Sequence, residues 1–399
     1  MSEDTTPVTY TPASSPCPTC GEPIAPDANF CESCGTQLGD VTEADAQADA
    51  RAAQPSPDSG VLPISLPTFM LADNASAPPR RTCTECGGTI GPDLYCEQCG
   101  TKAPSERDHF REVPASWVAG VCDRGVRRRR NEDALALVAS ETPGERCVLI
   151  VMDGVSSSTD SDVASLAGAR AARDRLATSI PRGLGTPESR ESAVHQAITD
   201  AAEAAQAAIV AHTESASANP ASATFTCVVL ESEPEGPVAW VGNLGDSRAY
   251  WFPDVGEPLQ LTRDDSAAEA LIDAGAPREV AYGDHQSHAI TAWLGRDSED
   301  TQPRIRRHQI TEDGWLLACS DGLWNYAVEV GDLAAALRAT VAEAGGDPEA
   351  VALGLVTWAC EQGGHDNVTV AVARVGAPVV VGETGADEEN VTDERASEE

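Results

Sequence analysis

The stretch "CVLIVMDG", Cys147 to Gly154, sets six consecutive apolar residues ahead of an Asp-Gly pair. An unbroken apolar run of this length reads as a strand buried on both faces. Four further runs read the same way: "ATFTCVVLES" (223–232), "VAWVGNLGDSRAYWF" (238–252), "GWLLAC" (314–319) and "NVTVAVARV" (367–375). The run at 238–252 is expected to be a hairpin turning at Gly245-Asp246. Helices are expected at about 162–178, 188–214, 331–344 and 347–362. In the second of them Val194, Ile198, Ala205 and Ile209 form an apolar stripe at near-helical spacing, suited to packing on a sheet. Strands in succession with helices grouped between them favour an α+β fold over a doubly wound sheet.

The aspartates fall at the ends of these runs. Asp153-Gly154 closes the first, Asp321-Gly322 follows "GWLLAC" after one serine, Asp366 precedes "NVTVAVARV", Asp133 precedes "ALALV", and Asp246 sits in "GDSR". One Asp-Gly is ordinarily a turn. Five carboxylates at strand ends are positioned to converge on one edge of a sheet core, where they repel unless a cation lies between them. Hard oxygen ligands select magnesium or manganese, with water completing the coordination.

The chain has 399 residues, 41% hydrophobic and 23% charged, with a net charge of -37. So acidic a protein is poorly suited to nucleic acid or to an anionic membrane surface. The most apolar early tract, Val61 to Ala72, is shorter than the roughly 20 residues of a membrane span and carries two prolines. The acidic start "MSEDTTP" is not a signal peptide. A cytoplasmic monomer is expected. Against the overall charge, "CDRGVRRRRNEDALAL" (Cys122 to Leu137) places four arginines, Arg127 to Arg130, directly ahead of Asn131-Glu132-Asp133. That is either a solvated charge run or an anion site beside the metal site.

Eight of the 13 cysteines form four C-x-x-C pairs: Cys17, Cys20, Cys31 and Cys34, then Cys83, Cys86, Cys96 and Cys99. Each quartet satisfies a closed tetrahedral structural zinc site, with no open position for catalysis. An iron–sulfur or redox role is the alternative. The units resemble zinc ribbons of the double-zinc-ribbon type. Residues 1–40 lack Lys and Arg, so protein docking is a better role for them than DNA binding. The expected organisation is ribbon 1 at 1–40, a flexible linker at 41–80, ribbon 2 at 81–104, a large domain at 108–377 and an acidic disordered tail at 378–399.

The large domain resembles the metal-dependent protein phosphatases, the type 2C Ser/Thr phosphatases. The matching motifs stand in family order: "DRGVRRRRNEDA", "VMDGVSSSTDSDVAS", "SATFT", "VGNLGDSRAYW", "LTRDDS", "AITAWLG", "LLACSDGLWN" and "GGHDNVTVAVA". The resemblance implies a four-layer α-β-β-α sandwich of two antiparallel sheets flanked by helices. It implies two Mg2+ or Mn2+ ions bridged by Asp153 and bound by Asp133, Asp321, Asp366 and the carbonyl of Gly154. A third, weaker ion would fall to Asp246 with Asp321. A bridging water would attack phosphorus in line. Five residues before Asp133 stands Arg128, the implied substrate-phosphate clamp; a guanidinium forks onto phosphate oxygens as a lysine does not. Arg124, Arg127, Arg129 and Arg130 match no required family role; they either widen the basic mouth toward phosphopeptides or, as is expected of most of them, are solvated. Phosphorylated proteins are the implied substrates, with a Ser/Thr kinase pathway component as a partner of the ribbons.

The chain departs from the family in places. Val155-Ser156-Ser157 replaces Met-Gly-Gly or His-Ala-Gly after the central Asp-Gly, so the histidine proposed elsewhere as general acid is absent. "DHS" is Asp264-Asp265-Ser266, and "ITRALG" is "ITAWLG" (290–295). Two rivals stand beside this reading. Cys122 to Arg128 fits C-x5-R, the core of cysteine-dependent phosphatases, but Val121 replaces the usual His and Asp123 would repel a phosphate. A catalytically weak phosphatase-like scaffold working through its ribbons is the other, although every metal aspartate is retained.

Overall fold

The computed structural model describes residues 15–16, 23–24, 86–91, 95–100, 103, 105–214, 216–283 and 289–376. Cys17, Cys20, Cys31, Cys34 and Cys83, the expected linker and the acidic tail lie outside the described residues.

Two antiparallel sheets form the large domain. The first has six strands: β1 (His109–Ala115), β2 (Val118–Asp123), β8 (Arg248–Pro253), β9 (Leu259–Gln260), β12 (Gly314–Cys319) and β13 (Val368–Val375), in the order β9-β8-β12-β13-β2-β1. The second has five: β3 (Ala134–Ala139), β4 (Arg146–Met152), β6 (Phe225–Glu233), β7 (Gly236–Leu244) and β11 (Arg304–Gln309), in the order β11-β7-β6-β4-β3. A small ladder pairs β5 (Ser222–Ala223) with β10 (Leu294–Gly295).

Period-two alternation explains why these strands read as continuous apolar runs. Val148, Ile150 and Met152 of β4 face a cluster with α1 (Ser161–Leu176) and α2 (Pro187–Ala211), while Leu149 and Val151 face the other sheet. In β12, Leu316 and Ala318 face between the sheets; Trp315, Leu317 and Cys319 face α6 (Val330–Ala344) and α7 (Pro348–Glu361). Helices, sheet, sheet, helices is therefore the layer order, as expected. The stripe Val194, Ile198, Ala205 and Ile209 of α2 is fully buried; each large aliphatic side chain there contributes about 1.5–3 kcal/mol. Three short helices complete the large domain: α3 (Ala267–Asp273), α4 (Arg278–Tyr282) and α5 (Asp321–Trp324).

One expectation is corrected. The run 238–252 is not a hairpin: β7 pairs with β6 and β11, whereas β8 pairs with β9 and β12 in the other sheet. The chain crosses between sheets at Gly245-Asp246. Gly245 has φ 98°, and a Cβ there would lie 2.7 Å from Thr224 Cγ2, so only glycine makes this crossing without strain. The crossing carries Asp246 to the end of the sandwich where β4 and β12 also finish.

Candidate active site

The predicted aspartates meet at this end. Asp133 stands immediately before β3, Asp153 immediately after β4, Asp321 at the start of α5, Asp366 two residues before β13, and Asp246 in the crossing. Two glycines permit the close approach. A Cβ on Gly154 would lie 2.6 Å from the Glu132 carbonyl oxygen, and one on Gly322 would lie 1.9 Å from that of Asn367. Neither glycine is among those with positive φ. These Asp-Gly pairs are therefore sites of tight backbone contact rather than left-handed turns.

Hydrogen bonds fix each aspartate through its carboxylate or its backbone. Asp133 Oδ2 accepts from Ser320 Oγ at 2.6 Å and Thr369 Oγ1 at 2.7 Å. The Asp153 N–H donates to Thr224 Oγ1 at 2.9 Å, and the Thr224 N–H returns a bond to the Asp153 carbonyl at 2.8 Å. Asn325 Nδ2 donates to Asp321 Oδ2 at 3.0 Å. The Asn367 N–H donates to Asp366 Oδ1 at 2.7 Å. Trp324 Nε1 donates to the Asp246 carbonyl at 3.0 Å. The same indole carries the guanidinium of Arg248, 3.5 Å from the ring centroid, and that guanidinium is clamped by Asp264. Ser320, Thr369, Thr224 and Asn325 were not singled out from the sequence. Thr369 lies in β13 and Ser320 just after β12, where a lone hydroxyl carries no distinctive spacing.

Electrostatics show how crowded the site is. Burial, then the charges of Asp133, Asp321, Asp366 and Asp246, hold the Asp153 carboxyl well above the usual range. Burial pushes Asp133 up to about 7 and Asp366 up to about 6, with Asp321 adding to both. Asp246 is raised by burial and by Asp321. Asp321 is raised by burial. Asp133 Oδ1 and Asp321 Oδ1 are buried with no hydrogen-bond partner. Hard anionic oxygens, mutually repelling and left with unpartnered buried atoms, fit divalent cations of the magnesium type. Among the described residues no three of these carboxylates bring an oxygen within 4.8 Å of one another.

Arg128 lies against this cluster. Its Nη2 donates to Asp366 Oδ2 at 2.5 Å and its Nη1 to Ser156 Oγ at 3.0 Å. The remaining arginines divide. Arg127 and Arg129 are exposed, as expected. Arg130 is not merely solvated: it donates to buried Glu132 at 2.7 Å and to the Ser158 carbonyl at 3.3 Å. The Glu132 carbonyl in turn accepts from the Gly154 N–H at 3.2 Å. Arg130 thus pins the backbone beneath the aspartates.

Cys122 is excluded as a nucleophile. It is fully buried, its sulfur accepts from Asn131 Nδ2 at 3.2 Å and lies 3.1 Å from Thr369 Oγ1, and burial pushes its thiol up to about 12. A thiol that holds its proton so firmly is not an attacking thiolate.

In the second cysteine unit, Cys86, Cys96 and Cys99 bring their Sγ atoms within 4.8 Å of one another. Gly87 and Gly100, one residue after Cys86 and Cys99, both have φ 72°, a left-handed backbone that favours glycine. Among the described residues no helix is long and apolar enough to cross a membrane.

The comparisons with known proteins agree with this geometry. The family model "Protein phosphatase 2C" matches residues 126–348, and "Double zinc ribbon" matches residues 17–100. No curated protein matches. Among solved structures, a Mycobacterium tuberculosis serine/threonine phosphatase, PstP/Ppp, is 26% identical over 65% of this chain and 98% of that one, with a TM-score of 0.53. The serine/threonine phosphatase of S. agalactiae shares the fold at 24% identity, covering 67% of this chain and all of its own, with a TM-score of 0.54. Stp1 of Staphylococcus aureus shares it at 23% identity, over 65% of this chain and 95% of its own, with a TM-score of 0.50. With its aspartates gathered at one end of a four-layer sandwich and the family's model matching over more than half its length, the chain belongs to the protein phosphatase 2C family.

Proposed function

We propose that the protein hydrolyses phosphoserine and phosphothreonine in protein substrates, dependent on Mg2+ or Mn2+. The observation that carries this reading is the convergence of Asp133, Asp153, Asp246, Asp321 and Asp366 with Arg128 at one end of the sandwich. Asp153, Asp133, Asp321, Asp366 and the Gly154 carbonyl would hold two ions, and Asp246 with Asp321 a third. Such ions supply an activated water for in-line attack and neutralise the phosphoryl oxygens.

The chain's own residues do the rest. Arg128 presents its guanidinium to the substrate phosphate, releasing Ser156 and Asp366 as phosphate oxygens take their place. Ser320 and Thr369 hold Asp133 by one oxygen and leave the other free toward the ions. Thr224 fixes the Asp153 backbone. The loop Val155–Ser157 contains no imidazole, so the departing serine or threonine oxygen takes its proton from water or from another group. The quartets Cys17, Cys20, Cys31, Cys34 and Cys83, Cys86, Cys96, Cys99 would each hold a structural zinc. They would serve as docking modules for a substrate or a kinase-pathway component, in a cytoplasmic protein.

The test is hydrolysis of phosphothreonine and phosphoserine peptides by the full chain with manganese, with chelator, and with manganese restored. Turnover that follows the metal supports the reading. A folded, zinc-loaded protein inert toward several peptides contradicts it and favours a scaffold.

A further inference from the structure

Both sheets expose an edge strand on the same side of the sandwich, β9 on one and β11 on the other. Between them lies a cavity of about 390 Å³ floored by Val241 and Leu261 and rimmed by Arg263, Arg304 and Arg306. Three guanidiniums around one cavity run against the composition of a chain with 64 acidic and 27 basic residues. Arg304 holds Asp265 Oδ1 through Nε at 2.9 Å and Nη2 at 2.5 Å. Arg263 meets Glu269 at 3.3 Å and also pairs with Asp273. Arg306 lines the cavity and makes no ion pair among the described residues. Each of the three thus retains N–H donors facing outward.

The cavity adjoins the aspartate cluster. Asp265, held by Arg304, donates its N–H to the Gly245 carbonyl at 2.8 Å and accepts from the Gly245 N–H at 3.2 Å. Gly245 is the residue before Asp246. The outer edge of β11 has no strand partner among the described residues, so its N–H and C=O groups are open to an added strand.

We propose that this cavity and the free edge of β11 dock the acidic flank of a phosphoprotein substrate, an extended segment with Asp or Glu beside the phosphoresidue. The inference rests on the phosphatase reading and specifies its substrate class. The substrate backbone adds to β11, an apolar side chain settles on Val241 and Leu261, and carboxylates meet Arg306 and Arg263. The net charge of -37 otherwise disfavours an acidic segment.

The test compares kcat/KM of the full chain, with manganese, on phosphothreonine peptides matched except for a Glu, Ala or Lys flank. Turnover of para-nitrophenyl phosphate, which has no flank, reports the state of the centre in each variant. The expected result is a preference of about tenfold for Glu over Lys flanks, carried by KM, weakened by salt and reversed in Arg306→Glu. Equal rates on the three peptides, or an unchanged ranking in Arg306→Glu, overturn the inference while aryl phosphate turnover leaves the phosphatase reading standing. Absence of metal-dependent aryl phosphate turnover overturns both. A Glu preference that emerges only when residues 377–399 are deleted also overturns it, because the chain's own acidic segment then occupies the site.

Discussion

Arg128 bridges Ser156 Oγ and Asp366 Oδ2 with the two arms of one guanidinium, at 3.0 and 2.5 Å. In the proposed reaction this fork would receive the substrate phosphate. Arg128→Lys keeps the charge but loses the fork. The expected outcome is a rise in KM for a phosphothreonine peptide of about 10–100-fold, from the loss of roughly 1.5–3 kcal/mol of charge-assisted hydrogen bonding. Ser156→Ala should change KM only a few-fold. Steady-state kinetics on both variants check the pair.

Ser320 and Thr369 orient Asp133 by donating to the same carboxylate oxygen. Partners of this kind typically contribute 10–100-fold to metal affinity. Thr369→Val is expected to weaken manganese binding by about tenfold while leaving the fold intact. Calorimetric titration with manganese reads it directly. Asp153→Asn serves as the reference for loss of a proposed ligand.

The carboxylate cluster makes metal binding and stability depend on pH in opposite senses. Without metal the native state holds protons that the unfolded chain has released, since Asp133 is pushed up to about 7 and Asp366 to about 6. Stability of the metal-free protein therefore falls as pH rises from about 4 toward 7. Metal binding must displace those protons, so affinity rises across the same window. Thermal unfolding with chelator from pH 5 to 8 should show a falling Tm, and added manganese should reverse the trend. A metal-free Tm that climbs with pH would contradict this placement of the aspartates.

Much of the architecture was readable because both faces of the sheets are covered. β4, β6, β12 and β13 stand out as apolar runs for that reason, and α2 by its stripe. β1 and β11 did not stand out: "HFREVPA" and "RIRRHQ" are edge strands with exposed polar residues, so they lack the apolar run that marks a buried strand. The crossing at Gly245 was misread because a glycine turn between two apolar runs looks the same whether the second strand returns to its neighbour or enters another sheet. The aspartates were legible by position at strand ends. Their partners Ser320, Thr369 and Thr224 were not, since a hydroxyl at a strand end has no distinctive spacing.

Arg248 and Asp264 form an ion pair with side chains 0% and 1% exposed, laid against Trp324. Removing one partner strands the other charge, so Asp264→Ala is expected to cost about 3–5 kcal/mol. Replacing both with apolar residues should cost less. Urea unfolding of the single and double variants measures the difference. Trp324 also bonds the Asp246 carbonyl, so the single variant should weaken manganese binding too.

The most direct measurement of the central claim compares phosphothreonine-peptide hydrolysis by the wild-type chain, Asp321→Asn and Cys122→Ser, each with and without manganese. The account predicts manganese-dependent turnover in the wild type, retained in Cys122→Ser and lost by at least about a hundredfold in Asp321→Asn. Turnover that survives Asp321→Asn and disappears in a folded Cys122→Ser protein would contradict it.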